Sequence, residues 1–240
     1  MKIVHVSSLR DEEAKFLGQL SVTKEDDLGI PLFLRVGENF LFIEDFKLAT
    51  SDNRKFEEGA PERLYRGGGI VILRTKYGVL ALPDERYGVM KPLAAGIAQY
   101  GEADDLTMTC VRELMEEAFV YSLDHKTRFI PKRFDPEDVV TATCLGFSVE
   151  DSVRIGTMCD LGYSINNANR SYEAVLEWDI SDIEVPFSVN CEEGWFGGGN
   201  SAITVFVLDE NSVVVGVFSG QQGFVPFPEF RIHSTLIEHL

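Results

Sequence analysis

Residues 96–120 read GIAQYGEADDLTMTCVRELMEEAFV, and they contain the strongest helical signal in the chain. From residue 106 to residue 122 no glycine or proline interrupts the run, and Asp105 in front of it is a suitable N-cap. The sequence therefore predicts a helix over 106–122, preceded by a glycine-containing loop over 92–102.

The predicted helix has two faces of opposite character when its residues are placed about 100° apart. Four apolar side chains fall on one side and predict a core stripe: Val111, Leu114, Met115 and Ala118. Three carboxylates gather on the other side: Glu113, Glu116 and Glu117. Carboxylates grouped in this way suit a hard cation such as Mg²⁺, although a solvated glutamate face is the common alternative.

The loop and the helix together resemble the Nudix box, whose pattern is G-x5-E-x7-R-E-U-x-E-E-x-G-U, where U is a bulky aliphatic residue. Gly96 and Glu102 fit G-x5-E, residues 112–117 fit R-E-U-x-E-E, and Val120 fits the last aliphatic position. The box covers about a tenth of the chain, yet it is far more specific than a lone glycine motif.

Two features depart from the family pattern. Nine residues separate Glu102 from Arg112 where the family has seven, and we expect the two extra residues in the loop at 103–105, where insertion is tolerated. Phe119 stands where the family has glycine. Because phenylalanine does not readily adopt a left-handed turn conformation, the helix exit is expected to differ.

The resemblance implies a Mg²⁺-dependent hydrolase that cleaves the diphosphate bond of a nucleoside diphosphate linked to another moiety, with Mn²⁺ able to replace Mg²⁺. The ADP-ribose pyrophosphatase branch, or a nucleotide sugar as substrate, is favoured by the turn at 94–96 and by Arg86 after a strand. The implied metal ligands are the Gly96 carbonyl oxygen and the carboxylates of Glu113, Glu116 and Glu117.

The resemblance also suggests catalytic roles. Glu116 and Glu117 belong to the catalytic set, with Arg112 orienting Glu116, and Glu102 would brace the loop or reach a metal ion through water. Glu173, expected in a loop that enters a strand, is the leading choice for the general base. Glu192 and Glu193 are alternatives in a glycine-rich loop, and each of these three is also a candidate for an ordinary surface carboxylate. For substrate binding, Arg86 is expected to contact phosphate, and Trp195 is expected to stack on the base.

Strand-like segments, among them residues 139–149, lie on both sides of the helix, which indicates an α+β protein rich in β-structure. A short terminal helix is predicted over 233–240. Hairpins are predicted around 37–39, 76–78 and 209–211, and the polar stretch 51–63 is expected to be a linker or a long loop. The resemblance implies a Nudix-like α/β/α sandwich with a mixed central sheet over 67–240. Residues 1–66 would form a small β-rich N-terminal section before it. This section is a candidate dimerisation element, so a homodimer is one possible state.

The chain has 240 residues and a net charge of −17, with a single basic residue, Arg231, after residue 171. This balance argues against nucleic acid or an anionic membrane as a partner, because both need clustered lysine and arginine. No signal peptide and no run of 18 apolar residues is evident, so a cytoplasmic protein is expected. The resemblance implies a small-molecule nucleotide diphosphate as its substrate. The competing interpretation is a catalytically weak Nudix-homology module that binds or senses a nucleotide.

Overall fold

The fold is α+β with strands predominating, as the sequence predicts. A computed structural model describes residues 2–23, 29–84, 88–124, 127–132, 152–191, 204–219 and 222–227. Its three α-helices are α1 (Asp11–Leu17), α2 (Asn53–Gly59) and α3 (Thr107–Glu117). Its strands are β1 (Ile3–Val4), β2 (Ile30–Val36), β3 (Asn39–Leu48), β4 (Leu64–Thr75), β5 (Gly78–Asp84), β6 (Val89–Pro92), β7 (Ala94–Ile97), β8 (Ala118–Ser122), β9 (Arg128–Pro131), β10 (Ser152–Ile155), β11 (Thr157–Asn166), β12 (Ser171–Asp179), β13 (Phe187–Cys191), β14 (Val205–Leu208), β15 (Val214–Ser219) and β16 (Gly223–Pro226).

The strands form a mixed 12-stranded sheet and a separate four-stranded sheet. The main path through the large sheet is β1-β3-β2-β4-β5-β14-β15-β16. In addition, β7 and β12 pair with β4, β11 pairs with β12, and β6 pairs with β5. The small sheet has the order β10-β9-β8-β13. Strand β4 therefore has the most pairing partners among the described strands.

The chain divides into two compact units, each assembled from several segments. The first consists of Met1–Ile70, Gly96–Cys110 and Gly162–Val175, and the second of Val71–Ala95, Val111–Leu161 and Leu176–Leu240. The boundary at residue 66 that the sequence suggests stays a prediction.

In the first unit, β2 and β3 form the predicted antiparallel hairpin, with Val36 opposite Asn39. Its apolar side chains join a core that includes Leu32, Ile43 and Leu48, each with no exposed surface. Burying a side chain of this size contributes about 1.5–3 kcal/mol, so each of these three residues stabilises the first unit by an amount of that order.

The expectation of a linker over 51–63 is wrong, because this stretch contains a 3₁₀ turn (Thr50–Asp52) followed by α2. Phe56 on α2 is fully buried and packs against Phe16, with ring centroids 5.9 Å apart. A single aromatic residue among polar ones gives a weak periodic signal, yet its burial is enough to fix a short helix on the core. The expected loop over 92–102 is likewise partly strand. β6 ends at Pro92, the first residue of this stretch, and β7 lies entirely within it.

In the second unit, the two other predicted hairpins are present. Strands β4 and β5 pair antiparallel around the turn at 76–77, and β14 pairs with β15. The Asp209 carboxylate accepts hydrogen bonds from the backbone N–H groups of Asn211 and Val213, both at 2.9 Å. This short-range cap on the turn explains why the Asp209-Glu210-Asn211 sequence predicts the hairpin correctly.

The predicted helix over 106–122 is too long, because α3 ends at Glu117 and β8 begins at Ala118. Phe119 is 1% exposed and lies on β8, where it pairs with Asn190 of β13. Arg128 of β9 lies over the Phe119 ring at 4.7 Å and donates Nη2–H to the Met115 carbonyl oxygen at 2.9 Å. A buried guanidinium thus caps the end of the helix, so no left-handed glycine is needed there.

Two further expectations, a strand over 139–149 and a terminal helix over 233–240, fall outside the described residues. Within the described part of the chain, the structure has no helix long and apolar enough to span a membrane.

Candidate functional site

The loop in front of α3 is fixed by one carboxylate. Glu102 accepts a hydrogen bond from the Gln99 N–H at 2.8 Å through Oε2, and the same atom accepts one from the Thr109 hydroxyl at 2.8 Å. The first bond closes a 3₁₀ turn over Tyr100–Glu102, and the second ties that turn to the first part of α3. The bracing contact, one of the two roles that the resemblance implies for Glu102, is therefore present.

Close backbone packing places Gly96 beside β4. The Ala98 N–H donates to the Gly67 carbonyl oxygen at 3.0 Å, where β7 pairs with β4. A Cβ atom at Gly68 would lie 3.0 Å from the Gly96 carbonyl oxygen and 3.0 Å from Cγ of Glu173. The absence of a side chain at Gly68 therefore lets the Gly96 carbonyl and the Glu173 side chain approach the same point.

The neighbouring glycine serves the helix instead of the loop. A Cβ atom at Gly69 would lie 2.7 Å from the backbone nitrogen and 2.8 Å from the sulfur of Cys110, a contact that real Cβ atoms do not make. The Cys110 thiol also contacts the Ala174 carbonyl oxygen at 3.3 Å. The Gly67-Gly68-Gly69 run is therefore the sequence signal from which this packing was predictable, although the motif resemblance does not include it.

Glu173 lies on β12, not in a loop that enters a strand, and its side chain is half-buried. The Ser171 hydroxyl donates to its Oε1 at 2.5 Å. Burial raises the pKa of Glu173, while the Ser171 hydrogen bond and the positive charge of Arg66 oppose this rise. A carboxylate with a raised pKa is a stronger base than an exposed one, which suits the proton-accepting role suggested for it.

The carboxylates at the end of α3, in the second unit, are held by an arginine. Nη1 of Arg112 lies 2.6 Å from Oε1 of Glu113 and 3.3 Å from Oε2 of Glu116. The Glu113 side chain is 9% exposed and that of Glu116 is 47% exposed. The predicted Arg112–Glu116 pair is therefore present. The same guanidinium also contacts Glu113, which helical periodicity places on the polar face.

Glu117 connects the end of the helix to the start of the loop. Its Oε2 accepts a hydrogen bond from the Ala95 N–H at 3.2 Å, one residue before Gly96 in the chain. Residues 22 positions apart thus meet through one carboxylate. The sequence resemblance requires this meeting of its two halves, because the glycine loop and the glutamates belong to one motif.

The carboxylates of this region are oxygen donors of the type that Mg²⁺ prefers. Among the residues that the structure describes, however, no three His, Cys, Asp or Glu side chains are gathered so that they could hold a metal ion. Glu113 and Glu116 share Arg112 instead. The donor chemistry therefore fits Mg²⁺, whereas the side chains as they stand do not form a ready metal centre.

Four of the residues suggested for substrate binding or base catalysis, Arg86, Glu192, Glu193 and Trp195, lie outside the described residues. Their roles stay predictions. Arg128, which determines the end of α3, has no distinguishing signal in the sequence, since its contact with the helix depends on the pairing of β8 with β9.

No protein-family model, curated protein or solved structure matches this chain. The function is therefore argued from the arrangement of its own residues.

Proposed function

We propose that this protein is a Mg²⁺-dependent pyrophosphohydrolase of the Nudix type, with a Nudix-like sandwich as the setting of its site. Its substrate is a nucleoside diphosphate linked to another moiety, with ADP-ribose or a nucleotide sugar preferred. The observation that carries the proposal is the hydrogen bond from the Ala95 N–H to Glu117, because it joins the glycine loop to the last turn of α3.

In this proposal, three residues of the motif hold the site in place through contacts within the chain. Glu102 keeps the loop closed through Gln99 and Thr109. Arg112 fixes the orientation of Glu113 and Glu116 by its two short contacts. Glu117 holds the backbone beside Gly96.

When bound, Mg²⁺ supplies positive charge that neutralises the phosphate oxygens of the substrate and acidifies an attacking water. Gly96, Glu113, Glu116 and Glu117 are the residues proposed to hold it. Glu173 is proposed to accept the proton of that water. Its half-buried position next to the Gly96 carbonyl, together with its raised pKa, supports this choice over an exposed carboxylate.

A second candidate is a nucleotide-binding module with little or no turnover. The observation that favours it is the pairing of Glu113 and Glu116 with Arg112, in a region where the described residues gather no three-ligand metal cluster. A module of this kind would bind the nucleotide without releasing a phosphate product.

The deciding experiment measures phosphate-product release from a panel of nucleoside diphosphate compounds, with Mg²⁺ and with EDTA. Wild type is compared with Glu117→Gln and with Glu184→Gln, an exposed carboxylate elsewhere in the second unit. We expect Glu117→Gln to lose at least about 100-fold in rate, since even the partners of metal ligands cost about 10- to 100-fold when they are removed. Glu184→Gln should match wild type.

No turnover on the whole panel, together with a rise in melting temperature caused by one compound, would overturn the enzyme and support the binding module. Turnover that survives both EDTA and Glu117→Gln would contradict the assignment of the site.

A further inference from the structure

The first unit contains a cavity that the proposed hydrolase does not use. Its volume is about 490 Å³, which is within the range of small-molecule sites. Three of its lining side chains are guanidinium groups, in a chain whose net charge is −17. The lining residues are Arg10, Arg35, Val36, Gly37, Glu62 and Arg63.

Two of the arginines are fixed side by side by the backbone. Arg35 at the end of β2 donates its N–H to the Arg63 carbonyl oxygen at 2.8 Å, and Arg63 donates Nε–H to the Arg35 carbonyl oxygen at 3.1 Å. Arg35 also donates Nε–H to the Gly37 carbonyl oxygen at 3.3 Å. These bonds orient both guanidinium groups through Nε, and no acceptor among the described residues bonds the Nη groups of Arg35.

A buried carboxylate supports the arginines from one side. Glu13 has no exposed side-chain surface, lies 3.4 Å from Nη1 of Arg63, and accepts the Arg10 N–H at 2.9 Å. These two contacts hold Arg63 and the backbone of Arg10 in place. Glu13 contributes one negative charge beside the arginines. Glu13 therefore makes the cluster a built feature of the fold, in contrast to a chance grouping of surface side chains.

The positive charge of the cavity exceeds the negative charge around it. Within the described ranges, neither Arg10 nor Arg35 has a carboxylate at ion-pair distance, and Glu62 adds one negative charge to the cavity lining. Arg35 at the end of β2 and Arg63 just before β4 are neighbours through their backbone bonds, and like charges on neighbouring segments repel each other. An anion in the cavity would relieve that repulsion, which is a reason for such a cluster to persist.

We propose that this cavity binds the phosphate group of a small soluble phosphate ester. The fork of a guanidinium group matches phosphate oxygens in a bidentate manner, and several such groups around one cavity favour phosphate over a single carboxylate. The volume of this open cavity has room for the phosphate and for a sugar attached to it. This inference does not depend on the proposed hydrolase, because its residues belong to no part of that motif.

The test is calorimetric titration of the full chain with ribose 5-phosphate in EDTA, with ribose as the uncharged counterpart. The variants are Arg35→Gln and Arg10→Gln, and the control is Arg54→Gln, whose side chain is 82% exposed and pairs with Glu58 outside the cavity. Arg63 is left intact, since its loss would strand the buried Glu13 and endanger folding.

We expect saturable binding of ribose 5-phosphate and none of ribose, with Arg35→Gln weakening the affinity at least about tenfold and Arg54→Gln leaving it unchanged. Equal affinity in wild type and both cavity variants, or no saturable binding by a folded wild-type protein, would overturn the proposal. Binding to vesicles that carry phosphatidylinositol 4-phosphate, without binding to ribose 5-phosphate, would also overturn it by assigning the arginines to a lipid headgroup.

Discussion

The two ends of α3 are held in different ways. At its beginning, Asp105 accepts hydrogen bonds from the Thr107 N–H at 3.0 Å and from the Thr107 hydroxyl at 2.6 Å, and Glu102 holds the preceding turn. At its end, Arg128 of β9 donates to the Met115 carbonyl oxygen and covers the ring of Phe119. The first end uses residues within a few positions, whereas the second depends on a strand that follows.

This difference explains which half of the motif could be anticipated. Hydrogen bonds between near neighbours follow from residue type and spacing, so Asp105 is readable as a cap. The brace by Glu102 is instead what the family resemblance implies. The end of the helix is decided by burial, since Phe119 is 1% exposed only because β8 lies between β9 and β13. In this chain, the packing of Phe119 fixes the end of the helix, where the Nudix pattern has a glycine.

The strongest test of that contrast is Phe119→Gly, which introduces the glycine that the Nudix pattern has at this position. We expect it to destabilise the protein, because removing a buried Phe side chain costs about 3–5 kcal/mol and leaves a cavity. Urea unfolding should show this loss, and Phe119→Leu should recover most of it. A Phe119→Gly protein as stable as wild type would mean that the helix exit does not depend on packing.

A smaller loss is expected for Arg128→Met, which keeps an apolar stem and removes the donor. The Met115 carbonyl loses a hydrogen bond from a charged group, a change of about 1.5–3 kcal/mol. The matched control is Arg154→Met on β10, an exposed position. Equal urea midpoints for the two variants would remove Arg128 as the cap of α3.

The beginning of α3 should respond less. Asp105→Ala removes an N-terminal cap, for which about 1 kcal/mol is typical. The neighbouring exposed carboxylate gives the control, Asp104→Ala, which should leave the free energy of unfolding nearly unchanged. If Asp105→Ala proved costlier than Phe119→Gly, the contrast between a locally capped and a packed end would be reversed.

The smallest effect concerns the pH dependence set by Glu173, beside the start of the loop. Because burial raises its pKa in the folded state, its contribution to stability is fully present below its ordinary pKa near 4.5 and is lost as the pH rises through the raised value. The Glu173→Gln variant should lack this pH-dependent loss of stability. The free energy of unfolding of the variant, relative to that of wild type, should therefore increase with pH across this window. Parallel curves for wild type, Glu173→Gln and the exposed control Glu184→Gln would show that Glu173 is not perturbed by burial.

The sequence by itself determined the features that depend on short spacing. These are the hairpin turns predicted around 37–39 and 209–211, the Asp105 cap in front of α3, and the Arg112–Glu116 pair. In each, the partners lie within about ten residues, so turn chemistry and helical periodicity are sufficient to bring them together.

Only the tertiary structure decided the rest. The burial of Phe56 turned a polar stretch into α2, and the β8–β9 pairing ended α3 early. The approach of Glu173 to the Gly96 carbonyl required Gly68, on a strand far from both in sequence. The physical reason is that burial and close backbone packing depend on which distant segments meet, and that information is not contained in the spacing of neighbouring residues.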